Sequence, residues 1–222
     1  MVMKVSYCKA VSFLTVLILH PFQSIAEERW QVLGAELVFN MNIPYSDDPN
    51  SDELITRDAT EFALFVMDNP EVSVIAVSGN GGYAPPGEKI ADKILEFGFD
   101  TRAFGECFSA CAWIFLAGVS RSLSESASLG FHRPYVIGED ERAYYAAHRH
   151  SRGWENEFDY VEFIYDVGLT DMLKTIDFMK SRGVTLEFIQ QAYSFDSFQM
   201  WQPDPEILLS NGVITALPLS GR

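Results

Sequence analysis

The chain has 222 residues and a formal net charge of −15, with 31 acidic against 16 basic side chains. This charge argues against a nucleic-acid partner, which needs a basic face, and disfavours docking on an anionic lipid surface. Hydrophobic residues make up 48% of the sequence and aromatic residues 14%, which is enough for a packed core. The length suits one α/β domain, or at most two small ones.

Residues 1–26 are predicted to be a cleavable signal peptide. Lysines and no acid precede an apolar stretch at 10–19, and Ser24 and Ala26 form a small-residue cleavage site. The stretch is short for a bilayer span, so we expect no stable membrane anchor; an uncleaved anchor is the alternative. Cleavage after Ala26 predicts a periplasmic or secreted chain of residues 27–222.

Export bears on the expected state of the cysteines, both on how many remain and on whether they are oxidised. Cys8 leaves with the signal peptide, so only Cys107 and Cys111 remain. In an oxidising compartment two such near thiols are expected to pair, most easily if Cys107 precedes the helix that holds Cys111. The bond would rigidify the turn that carries Ser109. With no further cysteine and with poorly spaced histidines, no metal site is predicted.

Strands alternate with helices through the first part of the mature chain, which indicates crossover units on parallel strands. The apolar run at 72–79 is typical of a strand buried on both faces. The predicted strands are 34–43, 72–79, 101–105 and 126–132, and the predicted helices are 51–70, 87–98 and 109–118.

The C-terminal part has a different pattern. Residues 139–155 are polar and charged and are predicted to be an insertion, either a lid, an interface or neither. Residues 156–183 have helical periodicity and form a predicted helical arm, followed by a shorter helix at 185–194. With no repeat and no linker, residues 27–222 are expected to form a single domain.

Ser109 lies where the strand at 101–105 meets the apolar helix at 109–118. A serine becomes a nucleophile when a base removes its proton, and the resulting oxyanion needs N–H donors. The N–H of Ala110 would lie at a helix N-terminus, which favours a developing anion. Gly82, in the turn after the strand at 72–79, is the expected second donor. The alternative is that Ser109 only caps its helix and that the glycines form a plain turn.

Three motifs resemble the Clp protease proteolytic subunit. "GECFSACAWIFLAG" (105–118) is similar to its nucleophile segment, "GFHRP" (130–134) to its strand-end His-x-Pro, and "GNGGYAPPG" (79–87) to its glycine turn. Their order and spacing agree over roughly 34–134. An exported acidic chain of this kind looks like the periplasmic proteins of that superfamily.

The resemblance implies an α/β fold of the Clp protease and crotonase superfamily, a spiral of ββα units with mostly parallel strands and a helical C-terminal arm. It implies Ser109 as nucleophile and His132 as base, with Gly82 and Ala110 as oxyanion donors. It selects Asp196 as the third triad member, although the chain between His132 and Asp196 is longer than the family pattern.

The expected function is therefore that of an exported serine hydrolase, most simply a peptidase without a cofactor or metal. The substrate would be a peptide or protein, and activity should fall below about pH 6–7 as imidazole is protonated. The resemblance also implies a homo-oligomer built through residues 156–183. No ATPase partner is expected in a compartment that lacks ATP.

Three alternatives stay open at this stage. The superfamily also contains enoyl-CoA hydratase-type proteins, which use the paired N–H groups on thioesters without a serine. A catalytically inactive or latent scaffold is the second alternative. A serine–lysine mechanism is the third and would need Lys89 or Lys93 close to Ser109.

Overall fold

The computed structural model describes residues 28–135 and 138–218. The predicted signal peptide therefore lies outside the described residues. Within these two ranges, no helix is both long and apolar enough to cross a membrane.

Six strands form one mixed, mostly parallel sheet in the order β1-β2-β3-β4-β5, with β6 paired to β4. Among the paired strands of the described residues, β1–β2 is antiparallel and the other pairs are parallel. The strands are β1 (Trp30–Leu33), β2 (Glu36–Asn40), β3 (Val74–Gly79), β4 (Asp100–Phe108), β5 (Arg121–Leu123) and β6 (Ser128–Gly130). The α/β class predicted from the alternating pattern is confirmed.

The helices follow the strands in the N-terminal part and dominate the C-terminal part. They are α1 (Thr56–Asp68), α2 (Ala84–Phe97), α3 (Ala110–Leu116), α4 (Gly138–Arg152), α5 (Glu157–Ser181), α6 (Leu186–Ser194) and α7 (Pro205–Ser210). The short apolar helix α3 is almost completely buried against α2, β3 and β4. This burial fixes the position of its first residues relative to the sheet.

Some element boundaries differ from the sequence prediction for local reasons. The strand predicted at 34–43 is shorter, as β2, and it forms a hairpin with β1, because Gly34 turns the chain in the left-handed region with φ 61°. Helix α2 begins at Ala84, earlier than predicted, since prolines are tolerated in a first helical turn. Helix α5 continues through residues 167–170 without a break.

Strand β4 changes its partner along its length. Its first part, Thr101–Ala103, pairs with β5, and its last part, Glu106–Phe108, pairs with β6. Gly105 lies between them with φ 60°, where the strand bends. The bend brings the end of β4 between the ends of β3 and β6.

Candidate active site

Three neighbouring parallel strands deliver the candidate residues to one edge of the sheet. Gly79 at the end of β3 pairs with Cys107 in β4, and Cys107 pairs with Leu129 in β6. The carboxyl ends of parallel strands are where open α/β sheets place ligands. The segments that leave these ends carry the glycine turn (residues 79–83), Ser109 and His132.

Ser109 occupies a strained backbone conformation. Its φ is 54° and its ψ −121°, and it is the one non-glycine residue with positive φ in the described parts of the chain. Its N–H donates to the Gly130 carbonyl at 2.9 Å, which ties the turn to the end of β6. Such a conformation costs of order 1–3 kcal/mol and persists where the surroundings impose it, often at functional sites.

A disulfide brackets Ser109. Cys107 lies near the end of β4 and Cys111 in the first turn of α3, and their Cα atoms are 5.1 Å apart. Both cysteines are fully buried. The predicted pairing is therefore present, and it encloses the serine in a short covalent loop, which we call the nucleophile turn (residues 107–111).

His132 lies in hydrogen-bond contact with Ser109. Its Nε2 is 2.7 Å from the Ser109 Oγ, and its Nδ1 is 2.7 Å from the Arg133 carbonyl oxygen. A carbonyl only accepts, so Nδ1 carries the proton and Nε2 is free to accept the serine proton. This is the tautomer that a general base requires, and it is fixed by the main chain.

The glycine turn touches the nucleophile turn through Gly81. A β-carbon at Gly81 would lie 2.9 Å from the Ser109 Cβ and 2.8 Å from the Ala110 nitrogen. Gly81 is buried and has φ 91°, so a side chain is excluded by both space and conformation. The sequence analysis assigns no separate role to Gly81. The signal that could have identified it is the pair of adjacent glycines, which permits two backbones to approach closely.

The expected oxyanion donors belong to these two turns. Gly82 follows Gly81 and is exposed, and Ala110 is the first residue of α3. Within residues 28–135 and 138–218, neither N–H has a hydrogen-bond acceptor among the backbone groups. Neither group is therefore engaged by a main-chain acceptor, as is common for N–H groups at helix N-termini and in turns.

Asp196 does not contact His132, so the expected triad hydrogen bond is absent among the described residues. The carboxylate is exposed and accepts from the Phe198 N–H at 3.4 Å within its own turn. The position that an acid would take at Nδ1 is occupied by the Arg133 carbonyl. The segment is nevertheless adjacent, because Phe131 pairs with Trp201 and Arg133 Nε donates to the Phe195 carbonyl at 3.1 Å.

Within the described residues, neither Lys89 nor Lys93 forms a hydrogen bond with Ser109, as a serine–lysine mechanism would require. Lys93 forms an ion pair with Glu96 at 2.7 Å, and Lys89 is exposed. The described residues contain no group of three or more side chains that could hold a metal ion. A cavity of about 490 Å³ lies elsewhere, beside α5, lined by Trp154, Asp159, Glu162, Phe163, Tyr165 and Asp166.

Neither the comparison with protein-family models nor that with curated proteins gives a match for this sequence.

Proposed function

We propose that the protein is a serine hydrolase, most simply a peptidase similar to the Clp protease proteolytic subunit. The observation that carries the proposal is the 2.7 Å contact between Ser109 Oγ and His132 Nε2 at a strained, cross-linked turn. A serine that merely caps a helix needs neither a histidine partner nor a positive φ.

The proposed reaction is acyl transfer. Ser109 Oγ attacks the substrate carbonyl while its proton passes to His132 Nε2, and the carbonyl oxygen becomes an oxyanion that accepts from Gly82 and Ala110 N–H. His132 then protonates the leaving group, and an ester to Ser109 remains. Water activated by the same imidazole hydrolyses that ester and restores the enzyme.

The family resemblance is supported by where the three motifs lie. In the Clp protease proteolytic subunit, the glycine turn, the nucleophile segment and the His-x-Pro motif come in the same order along the chain. Here the glycine turn, Ser109 and His132 follow β3, β4 and β6, which pair in that order. The proposal includes the oxidising periplasmic or extracellular location, with which the buried disulfide is consistent.

Helix α5 supports the proposed homo-oligomer. Five of its large apolar side chains are exposed at spacings of three or four residues, and so follow one face of the helix. They are Phe158, Val161, Tyr165, Leu169 and Leu173. A second copy of this chain is the proposed partner of that face.

Labelling with a fluorophosphonate tests the activity directly, because only an activated serine is phosphonylated. We expect the oxidised, signal-free protein to be labelled on Ser109, and Ser109→Ala and His132→Ala to remain unlabelled. The rate should fall below about pH 6–7, where an imidazole takes up a proton. A folded wild type that is not labelled would instead identify a latent enzyme or a binding scaffold.

A further inference from the structure

Arg29 is a buried cation that binds the main chain of residues 41–53, the segment that packs against the glycine turn. Its side chain is 5% exposed and pairs with Asp58, which is fully buried, at 2.6 and 2.7 Å. The remaining guanidinium hydrogen bonds go to main-chain carbonyls at 2.7–2.9 Å, those of Met41, Ile43, Ser51 and Glu53. A buried charge is tolerated only when it has a counter-charge and its donors have acceptors. The Arg29 guanidinium meets both conditions.

The ion pair holds Leu54 from both sides. The carbonyl before it, that of Glu53, accepts from Arg29, and the N–H after it, that of Ile55, donates to Asp58 Oδ2 at 2.8 Å. Tyr45 donates its hydroxyl to the other oxygen of Asp58 at 2.9 Å. Burial raises the pKa of Tyr45 to about 12, so that hydroxyl stays protonated near neutral pH.

Leu54 in turn fixes the glycine turn. Its N–H donates to the Gly81 carbonyl at 2.7 Å, and its carbonyl accepts from the Tyr83 N–H at 3.0 Å. A β-carbon on Gly82 would lie only 2.6 Å from the Leu54 nitrogen and 2.8 Å from its oxygen. The Gly82 peptide is therefore pressed against Leu54, which restricts the direction of its N–H.

Met41 holds the other end of the same turn. Its carbonyl accepts from Arg29, and its N–H donates to the Ser78 carbonyl at 2.8 Å. A β-carbon on Gly79 would lie 2.5 Å from the Met41 Cβ, so the two backbones are in close contact. Arg29 thus donates hydrogen bonds to the main chain on both sides of the glycine turn, at Met41 and at Glu53 beside Leu54.

We propose that the Arg29–Asp58 pair is a positioning element that sets the Gly82 N–H for the oxyanion. The inference rests on the proposed function but concerns residues outside the proposed set of Ser109, His132, Gly82 and Ala110. A hydrogen-bond donor acts on a transition state only when it is already aligned, and displacement by about 1 Å can cost a hundredfold in rate.

The test compares Arg29→Lys with Arg121→Lys. Arg121 is the matched control because it is also buried and also donates to main-chain carbonyls, those of Gly118, Arg182, Gly212 and Val213. Both variants keep the charge and lose the guanidinium fork. Two quantities are measured for each variant: the pH profile of fluorophosphonate labelling and the hydrogen-exchange rates of the Leu54 and Tyr83 amides. Each variant is measured at the same interval below its own melting temperature, so that a difference in stability does not enter the comparison.

For Arg29→Lys we expect the plateau labelling rate to fall by about tenfold to a hundredfold with an unchanged pH midpoint. The Leu54 and Tyr83 amides should exchange about tenfold faster. Arg121→Lys should keep wild-type values for both. Equal behaviour of the two variants would overturn the proposal, because Arg29 would then contribute only general stability.

Two further measurements keep the inference independent of folding and of activity. If Arg29→Lys does not fold, Asp58→Asn, which keeps shape and one acceptor, takes its place. In the wild type, the Leu54, Ile55 and Tyr83 amides should open in one cooperative step under native conditions. Separate opening would contradict the proposal even if the wild type is never labelled. Failure of the positioning role of Arg29 and Asp58 can therefore be distinguished from failure of the proposed hydrolase activity.

Discussion

The Ser109 hydroxyl oxygen lies 2.7 Å from Nε2 of His132. Each of the two residues is held by a main-chain carbonyl, Ser109 through its N–H to the Gly130 carbonyl and His132 through Nδ1 to the Arg133 carbonyl. The pair is therefore preorganised, and reactivity should depend on the backbone around it as much as on the two side chains.

The strain at Ser109 can be measured by replacing it with the residue that its backbone favours. Glycine adopts φ 54° without a steric penalty, whereas alanine keeps the strain. We expect Ser109→Gly to be more stable to unfolding than Ser109→Ala by about 1 kcal/mol, with both variants unlabelled. Denaturant unfolding of the two proteins gives the difference.

The control for that comparison is Ser73, an exposed serine outside the positive-φ region. There Ser73→Gly should be less stable than Ser73→Ala, because glycine has more backbone entropy to lose on folding. The same sign at both positions would mean that the Ser109 conformation stores no strain.

Gly81 should be indispensable for reactivity. In Gly81→Ala the new methyl group would meet the Phe108 oxygen and the Ala110 nitrogen within 2.8 Å, and backbone atoms cannot move aside cheaply. The two turns should separate, and fluorophosphonate labelling should fall by about a hundredfold. Gly34→Ala is the control, since Gly34 also has positive φ but has no atom within 4 Å of such a methyl group. If both variants lose labelling alike, the Gly81 contact is not what matters.

The sequence predicted the strand–helix alternation and the order of the site motifs, because those signals are local. The apolar run of β3 and the glycine after α2 each specify their own element. The three-residue β5 was missed, since it exists only through pairing with Thr101–Ala103. The contacts of Arg29 could not be predicted from the sequence for the same reason. Its partners, from Met41 to Asp58, come together only in the folded chain.

Asp196 should contribute little to the reaction. The Arg133 carbonyl already orients His132, and the Asp196 carboxylate faces solvent. We therefore expect Asp196→Asn to change the labelling rate by less than about threefold, while His132→Ala loses about a thousandfold. Asp204→Asn is the control, since Asp204 is another exposed acid, the N-cap residue of α7, whose side chain makes no capping hydrogen bond. A hundredfold loss in Asp196→Asn alone would mean that the carboxylate reaches His132 during turnover and that the triad is complete.

The disulfide should matter for reactivity as well as for stability. A cross-link that closes so short a loop contributes only about 2 kcal/mol through chain entropy, so the double variant Cys107→Ala/Cys111→Ala should stay folded. Its labelling rate should fall about tenfold, because the nucleophile turn is then free to relax from its strained conformation. Wild type treated with dithiothreitol under mild denaturant, then returned to native conditions, provides the same comparison without a substitution. Full labelling of the double variant would show that packing of α3 alone fixes Ser109.

The exposed apolar face of α5 should hold copies of this chain together. A glutamate at Leu169, which is 50% exposed and lies in the middle of that face, would place a charge in the buried interface. We expect sedimentation velocity to give an oligomer for the wild type and a smaller species for Leu169→Glu. Thr170→Glu adds the same charge to an exposed neighbouring position turned away by one residue of the helix, and it should keep the wild-type assembly. A monomeric wild type would exclude this face as a self-association surface, whereas dissociation by both variants would point to charge repulsion in a strongly acidic chain.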